Sequence, residues 1–193
     1  MRVDELRDLA RRAANVTGYR QILVLGSQAV HGSLPDADLP AITTMSEEAD
    51  LAVVGDLSGE TPHMIEASFG MGSPYHQSFG VYADGIALSE VALPDGWEGR
   101  VRTQQIDDGA DVDNPVTLLF PEIHDLCASK LTVAVTGGFG RRSDRGFVSA
   151  LAEAGLVDLE ILNDRVGSLP PTVAPEVRKA AHAIVHNLSR DNP

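Results

Sequence analysis

The 193-residue chain contains a single cysteine, Cys127, so an internal disulfide is excluded. It also lacks any apolar run approaching the roughly 20 residues that a membrane-spanning helix needs. Its first residues, MRVDELRDLARRAANV, alternate charged and apolar positions and contain no hydrophobic core of a secretory signal. Basic residues are scarce: 15 Lys and Arg stand against 28 Asp and Glu, for a net charge of -13. Such a surface repels nucleic-acid phosphates at long range. Tight RNA binding would therefore need a local basic patch, and the only dense one is Arg141-Arg142 with Arg145 close by. These absences lead to the expectation of a cytoplasmic protein that keeps its thiol reduced and does not enter a membrane.

Enough is present to build a core. Hydrophobic residues make up 43% of the chain, too many for a disordered segment. Val3, Leu6, Leu9, Ala10 and Ala13 recur at helical spacing and predict an amphipathic helix over 3–16. Residues 21–25 form a short apolar run that reads as a buried strand. It ends on Gly26-Ser27, with 28–31 as the first turns of a helix. A Gly- and Pro-containing loop over 32–46 leads to a second strand over 48–54. A short helix is expected over 62–70, followed by a turn-rich loop over 70–74. Residues 79–93 read as one or two strands with a turn near Asp84-Gly85, and 99–106 as another strand. The acidic run over 107–113 reads as a solvated loop. From Pro121 the pattern is helical: Ile123, Leu126, Cys127, Leu131 and Val135 form an apolar stripe ended by Gly137-Gly138 and Gly140. Further helices are expected over 143–155, 157–167 and 174–189. The organisation expected is an α/β (α+β) core over 1–115, a small mixed sheet flanked by helices, with a helical part over 116–193 packed on it.

Two short features carry chemistry. A Gly-Ser pair where a buried strand meets a helix lets backbone N–H groups and a hydroxyl approach an anion, and the helix dipole adds to this. Gly26-Ser27 fits that description, and taken alone it also reads as a turn with a capping serine. Glu48 and Asp50 occupy alternate positions of the next strand, so their carboxylates share a face. Mutual repulsion and burial beside Leu51, Ala52, Val53 and Val54 would be relieved by a divalent cation, since hard Mg²⁺ prefers carboxylate and phosphate oxygens. The alternative is that 46–48 are a solvated entry to the strand, with only Asp50 inside it.

Taken together, the strand, Gly-Ser turn, helix and following carboxylate-x-carboxylate strand resemble the nucleotidyltransferase superfamily and its GS…DxD motif. The remaining pieces resemble its AbiEii-like abortive-infection and toxin branch and that branch's uncharacterised bacterial relatives. They are Leu25-Gly-Ser-Gln-Ala-Val-His-Gly32, Ser46-Glu-Glu-Ala-Asp-Leu51, Tyr82-Ala-Asp-Gly85, Leu93-Pro-Asp-Gly-Trp97, Asp125-Leu-Cys-Ala-Ser-Lys-Leu131 and Ser143-Asp-Arg-Gly-Phe-Val148. The chain departs from the family's pattern in carrying Glu48 where aspartate is common, and in a longer gap between Ser27 and Glu48.

The resemblance implies a nucleotide site at Gly26, Ser27 and Lys130, and a metal site at Glu48, Asp50 and a third carboxylate. Asp84 is the candidate for the third, with Glu90 in reserve; an Asp-Gly hairpin turn is the other reading of Asp84. It also implies functional roles for the helical Lys130 and the downstream Asp144. Lys130 reads equally as a surface lysine, and Asp144 as a helix cap. The implied activity is Mg²⁺- or Mn²⁺-dependent transfer of a nucleotidyl group from an NTP to an RNA or protein acceptor, in a toxin-like setting with a cognate antitoxin-like partner. A non-catalytic nucleotide-binding or interaction module of such a system is the alternative. Outside this set, His182 and His186 stand four apart on a helix and read as a half-exposed face. His76, in Ser73-Pro-Tyr-His76, is a candidate to line a cleft, and Cys127 reads as buried core.

Overall fold

Leu6, Leu9, Ala10, Ala13 and Ala14 are buried along one face of α1 (Val3–Thr17), and the acidic pair Asp4 and Glu5 occupies its first turn, where the helix dipole favours negative charge. This helix packs on the sheet at β1 (Gln21–Leu25), whose last four residues are all buried, as expected of a central strand covered on both faces. The computed structural model describes residues 1–34, 38–41, 45–106, 115–137 and 141–191. The remaining strands are β2 (Glu48–Val53), β3 (Tyr82–Gly85), β4 (Arg102–Ile106) and β5 (Val116–Phe120). They form one five-stranded mixed sheet in the order β3-β2-β1-β5-β4. β1 runs antiparallel to β2 and parallel to β5, β2 is parallel to β3, and β4 is antiparallel to β5. The helices are α2 (Thr61–Phe69), α3 (Pro74–Phe79), α4 (Ile123–Thr136), α5 (Arg141–Glu153), α6 (Leu159–Gly167) and α7 (Pro175–Asp191). The architecture is therefore an α+β fold with helices flanking a mixed sheet and a helical C-terminal part. Among the described residues no helix is long and apolar enough to cross a membrane.

The two sheet faces differ. Ile22, Val24, Leu51, Val53, Leu118 and Phe120 join the main core, together with apolar side chains of α1, α2 and α4 to α7. Leu23, Leu25, Ala52 and Leu119 point the other way. They pack against Leu93 and the partly buried Val54, Ile86, Leu88, Val91, Trp97 and Val101. Because strand side chains alternate, Glu48 and Asp50 fall on this second, thinly covered face.

Four expectations are corrected. The sheet does not end near 115: β5 lies beyond that point and is the parallel neighbour of β1, so 116–120 belong to the core. Its run Val-Thr-Leu-Leu-Phe is a short apolar stretch without alternation, which periodicity cannot separate from the helical pattern that follows. Residues 28–31 are not the start of an α-helix; Ser27–Gly32 is a single 3₁₀ segment. It packs so close to the sheet that a Cβ on Gly32 would fall 2.2 Å from Phe120. Asp84-Gly85 is not a hairpin turn. It ends β3, where Gly85 passes close to α2: a Cβ there would lie 2.1 Å from the Pro62 carbonyl oxygen. Ser73 and Pro74, expected to close the turn-rich loop over 70–74, instead cap and begin α3. The Ser73 hydroxyl caps that helix by accepting from the His76 N–H, and Pro74 occupies its first turn. The acidic run 107–113 and the side chains of Arg141 and Arg142 lie outside the described residues.

Candidate metal centre

Antiparallel pairing sets Leu25 opposite Asp50, so the turn that leaves β1 passes directly over the Asp50 side chain. Gly26 has φ 61° and ψ -152° there, a conformation essentially confined to glycine. A Cβ at this position would sit 1.7 Å from Asp50 Oδ2. On the other side of β2, parallel pairing sets Tyr82 beside Glu48 and Asp84 beside Asp50. Glu48, Asp50 and Asp84 thus converge from two neighbouring strands, and each offers a carboxylate oxygen within 4.8 Å of the other two. Glu48 is the first residue of β2 and half-buried, not part of a solvated lead-in.

The electrostatics of this cluster are those of a site short of positive charge. Burial, followed by the charge of Glu48, pushes the Asp50 carboxyl up to about 7, against a smaller opposing pull from Lys130. Asp84 is raised as well, by burial and then by Glu48. Acids this close share protons when nothing else neutralises them. A hard divalent cation would take over that role, because it accepts several carboxylate oxygens at once.

Beside the triad opens a cavity of about 750 Å³. Gly26, Ser27, Glu48 and Asp50 line one wall, and Leu126, Lys130, Val133, Asp144 and Phe147 from α4 and α5 line another. Lys130 is not a surface lysine. Its side chain is 13% exposed, its Nζ donates to Asp144 Oδ1 at 2.7 Å, and it lies 4.8 Å from the centre of the Phe147 ring. Asp144 lies inside α5, since the helix begins three residues earlier at Arg141, and so is not its cap. Ser27 opens the 3₁₀ segment and faces the cavity. So short a segment contributes little dipole, and any anion there would rely on the Gly26-Ser27 backbone, the hydroxyl and Lys130.

The other candidates separate from this group. Glu90 lines the cavity but is not in the triad. His76 accepts from the Gly72 N–H at Nδ1 and does not line the cavity; its ring packs against Tyr82. His182 is hydrogen-bonded to Asn163 at 2.7 Å, and neither it nor His186 belongs to a metal-ligating cluster among the described residues. Cys127 is fully buried, and burial raises its thiol pKa out of the reactive range.

Two features escape sequence reasoning. Tyr82 donates its hydroxyl to Glu48 Oε2 at 2.9 Å, a contact that depends on strand register alone. Asp125, fully buried at the start of α4, accepts from Arg100 Nε at Oδ2, 2.8 Å away, and from Arg100 Nη2 at Oδ1, 2.9 Å away; Arg165 Nε lies 3.1 Å from the same Oδ1 as an ion pair without a hydrogen bond. Arg100 Nη2 also donates to the Asp95 carbonyl, so this network ties the 94–100 segment and α6 to the helix that carries Lys130. Comparison of the chain with protein-family models, curated proteins and solved structures gave no match.

Proposed function

We propose that this protein is a metal-dependent nucleotidyltransferase of the cytoplasm, transferring a nucleotidyl group from an NTP to a hydroxyl or phosphate of an RNA or protein acceptor. The observation that carries this reading is the convergence of Glu48, Asp50 and Asp84 beside a cavity that also holds Ser27 and Lys130. Glu48, Asp50 and Asp84 would hold Mg²⁺ or Mn²⁺, which when bound supplies the charge neutralisation that phosphoryl transfer needs. Gly26 and Ser27 offer the triphosphate close-approaching backbone and a hydroxyl. Lys130 supplies a point charge and is exchanged from Asp144 to phosphate on binding. The acceptor oxygen bonds to the α-phosphorus, the bond from that phosphorus to the β-phosphate bridge oxygen breaks, and pyrophosphate leaves. The acceptor proton passes to a carboxylate oxygen of the triad. The apolar wall of Leu126, Val133 and Phe147 is a surface on which a base can stack.

Two observations favour a second reading. Lys130 is already satisfied by Asp144, and the first carboxylate is the longer glutamate. A non-catalytic nucleotide-binding or interaction module, one half of a toxin–antitoxin-type pair, would keep such an arrangement. Incubation with α-labelled NTPs, Mg²⁺ and candidate tRNAs or proteins decides between them. Transfer of label that Asp50→Ala abolishes supports the enzyme. Metal-independent NTP binding with no transfer supports the module, and transfer unchanged in Asp50→Ala contradicts the assignment of the site.

A further inference from the structure

The hydrogen bond from Tyr82 to Glu48 singles out a residue that touches neither cavity nor cation position directly. We propose that Tyr82 is a positioning residue of the metal centre: its hydroxyl fixes the Glu48 carboxylate so that the three acids converge, and it is matched to the length of glutamate at position 48. This inference rests on the metal-centre reading of Glu48, Asp50 and Asp84.

A free glutamate on a strand has three side-chain torsions, and holding it in a ligating geometry carries an entropic cost. Here the cost is met by a rigid partner. Tyr82 is 8% exposed. Its backbone is held by an N–H donated to the Glu47 carbonyl and by the β2–β3 pairing that sets it beside Glu48. Its ring packs against His76 at 4.9 Å between centroids, and His76 is itself held by the Gly72 N–H at 2.9 Å and by the Ser73 cap. The phenol therefore has little freedom, and the 2.9 Å contact with Oε2 transfers that rigidity to Glu48. A carboxylate oxygen of Glu48 lies within 4.8 Å of one from Asp50 and one from Asp84, so its orientation bears on the geometry of the whole cluster. An aspartate at position 48 would place its carboxylate one methylene short of the Tyr82 hydroxyl and lose this support. Outer partners of ligating carboxylates commonly set metal affinity in this way.

The test is Mn²⁺ affinity, read from the electron paramagnetic resonance of free Mn²⁺ at pH 8, for the wild type, Tyr82→Phe, Glu48→Asp and the double variant. Tyr82→Phe keeps the ring and its packing, and a thermal melt without metal checks that the fold is retained. The expected result is a Kd raised about tenfold in Tyr82→Phe and by a similar factor in Glu48→Asp, with less than about a twofold further change on combining them. Glu48→Asp leaves Tyr82 in place, so the coupling is read even if the tyrosine variant proves less stable. Equal affinity in the wild type and Tyr82→Phe overturns the proposal while leaving the metal centre intact. So does an equal loss from Tyr82→Phe in both backgrounds, which is the result of a merely structural tyrosine. A wild type that binds no Mn²⁺ overturns the metal centre and this proposal together.

Discussion

The carboxylate of Asp50 occupies the space that a side chain on residue 26 would need: a Cβ on Gly26 would lie 1.7 Å from Asp50 Oδ2. The glycine is required twice over, by this contact and by its backbone at φ 61° and ψ -152°. Gly26→Ala is expected to destabilise the protein by about 1–3 kcal/mol through backbone strain alone, and to push Asp50 out of the triad. Urea unfolding with and without Mn²⁺ checks both parts. The variant should be less stable and should lose the stabilisation by metal. A variant as stable and as metal-responsive as the wild type would show that the turn yields without moving Asp50.

The raised Asp50 carboxyl makes a prediction about pH. An unfolded aspartate titrates near 3.8, whereas Asp50 in the fold titrates at about 7. The native state therefore binds more protons than the unfolded state between these values, and stability falls as pH rises through that window. The contribution is fully present below about pH 4 and lost above about pH 7, at a slope of up to about 1.4 kcal/mol per pH unit for one such group. Metal-free wild type should lose more stability between pH 5 and pH 8 than Asp50→Asn, which has no carboxyl to ionise. Mg²⁺ or Mn²⁺ should reverse the loss at pH 8, by about 2.7 kcal/mol at a hundredfold excess over Kd, and do less at pH 5, where protons compete. Equal metal-induced shifts in the two proteins would mean that the ions act on the diffuse surface charge.

Asp125 carries a prediction about the frame and not the chemistry. It is fully buried and neutralises two guanidinium groups, those of Arg100 and Arg165. Asp125→Ala deprives both of their carboxylate; because Arg100 keeps the Asp95 carbonyl and the two arginines are 26% and 27% exposed, the loss falls at the low end of that for breaking a buried ion pair, about 3 kcal/mol. Chemical unfolding should show a loss of this size. A loss below about 1 kcal/mol would mean that water reaches the two arginines and that the network contributes little to holding α4.

How much of this was readable in the chain depends on how local each signal is. The apolar spacing of Leu6, Leu9, Ala10 and Ala13 marks α1, and the runs at 21–25 and 48–54 mark β1 and β2, because each pattern is complete within one element. The shared face of Glu48 and Asp50 follows from strand alternation alone. The strand at Val116–Phe120 was hidden because it abuts a helical apolar stripe without a change of composition. The helix at Pro74–Phe79 did carry a start signal, Ser73 followed by Pro74, which the neighbouring glycines outweighed. Asp84-Gly85 has the composition of a hairpin turn, and only pairing with β2 shows that the aspartate lies beside Asp50. Tyr82 with Glu48, and Asp125 with Arg100 and Arg165, are joined by chain reversals that no local pattern encodes.

The most direct test of the central claim, that the three acids form a metal centre serving a bound triphosphate, is anomalous diffraction at the manganese edge. Crystals would be grown with Mn²⁺ and a non-hydrolysable nucleoside triphosphate. The account predicts an anomalous peak among the carboxylates of Glu48, Asp50 and Asp84, with the triphosphate lying between that peak and Lys130, and neither feature in Asp50→Asn. Anomalous peaks confined to other surface acids, or a triphosphate bound away from the Gly26-Ser27 turn, would contradict it.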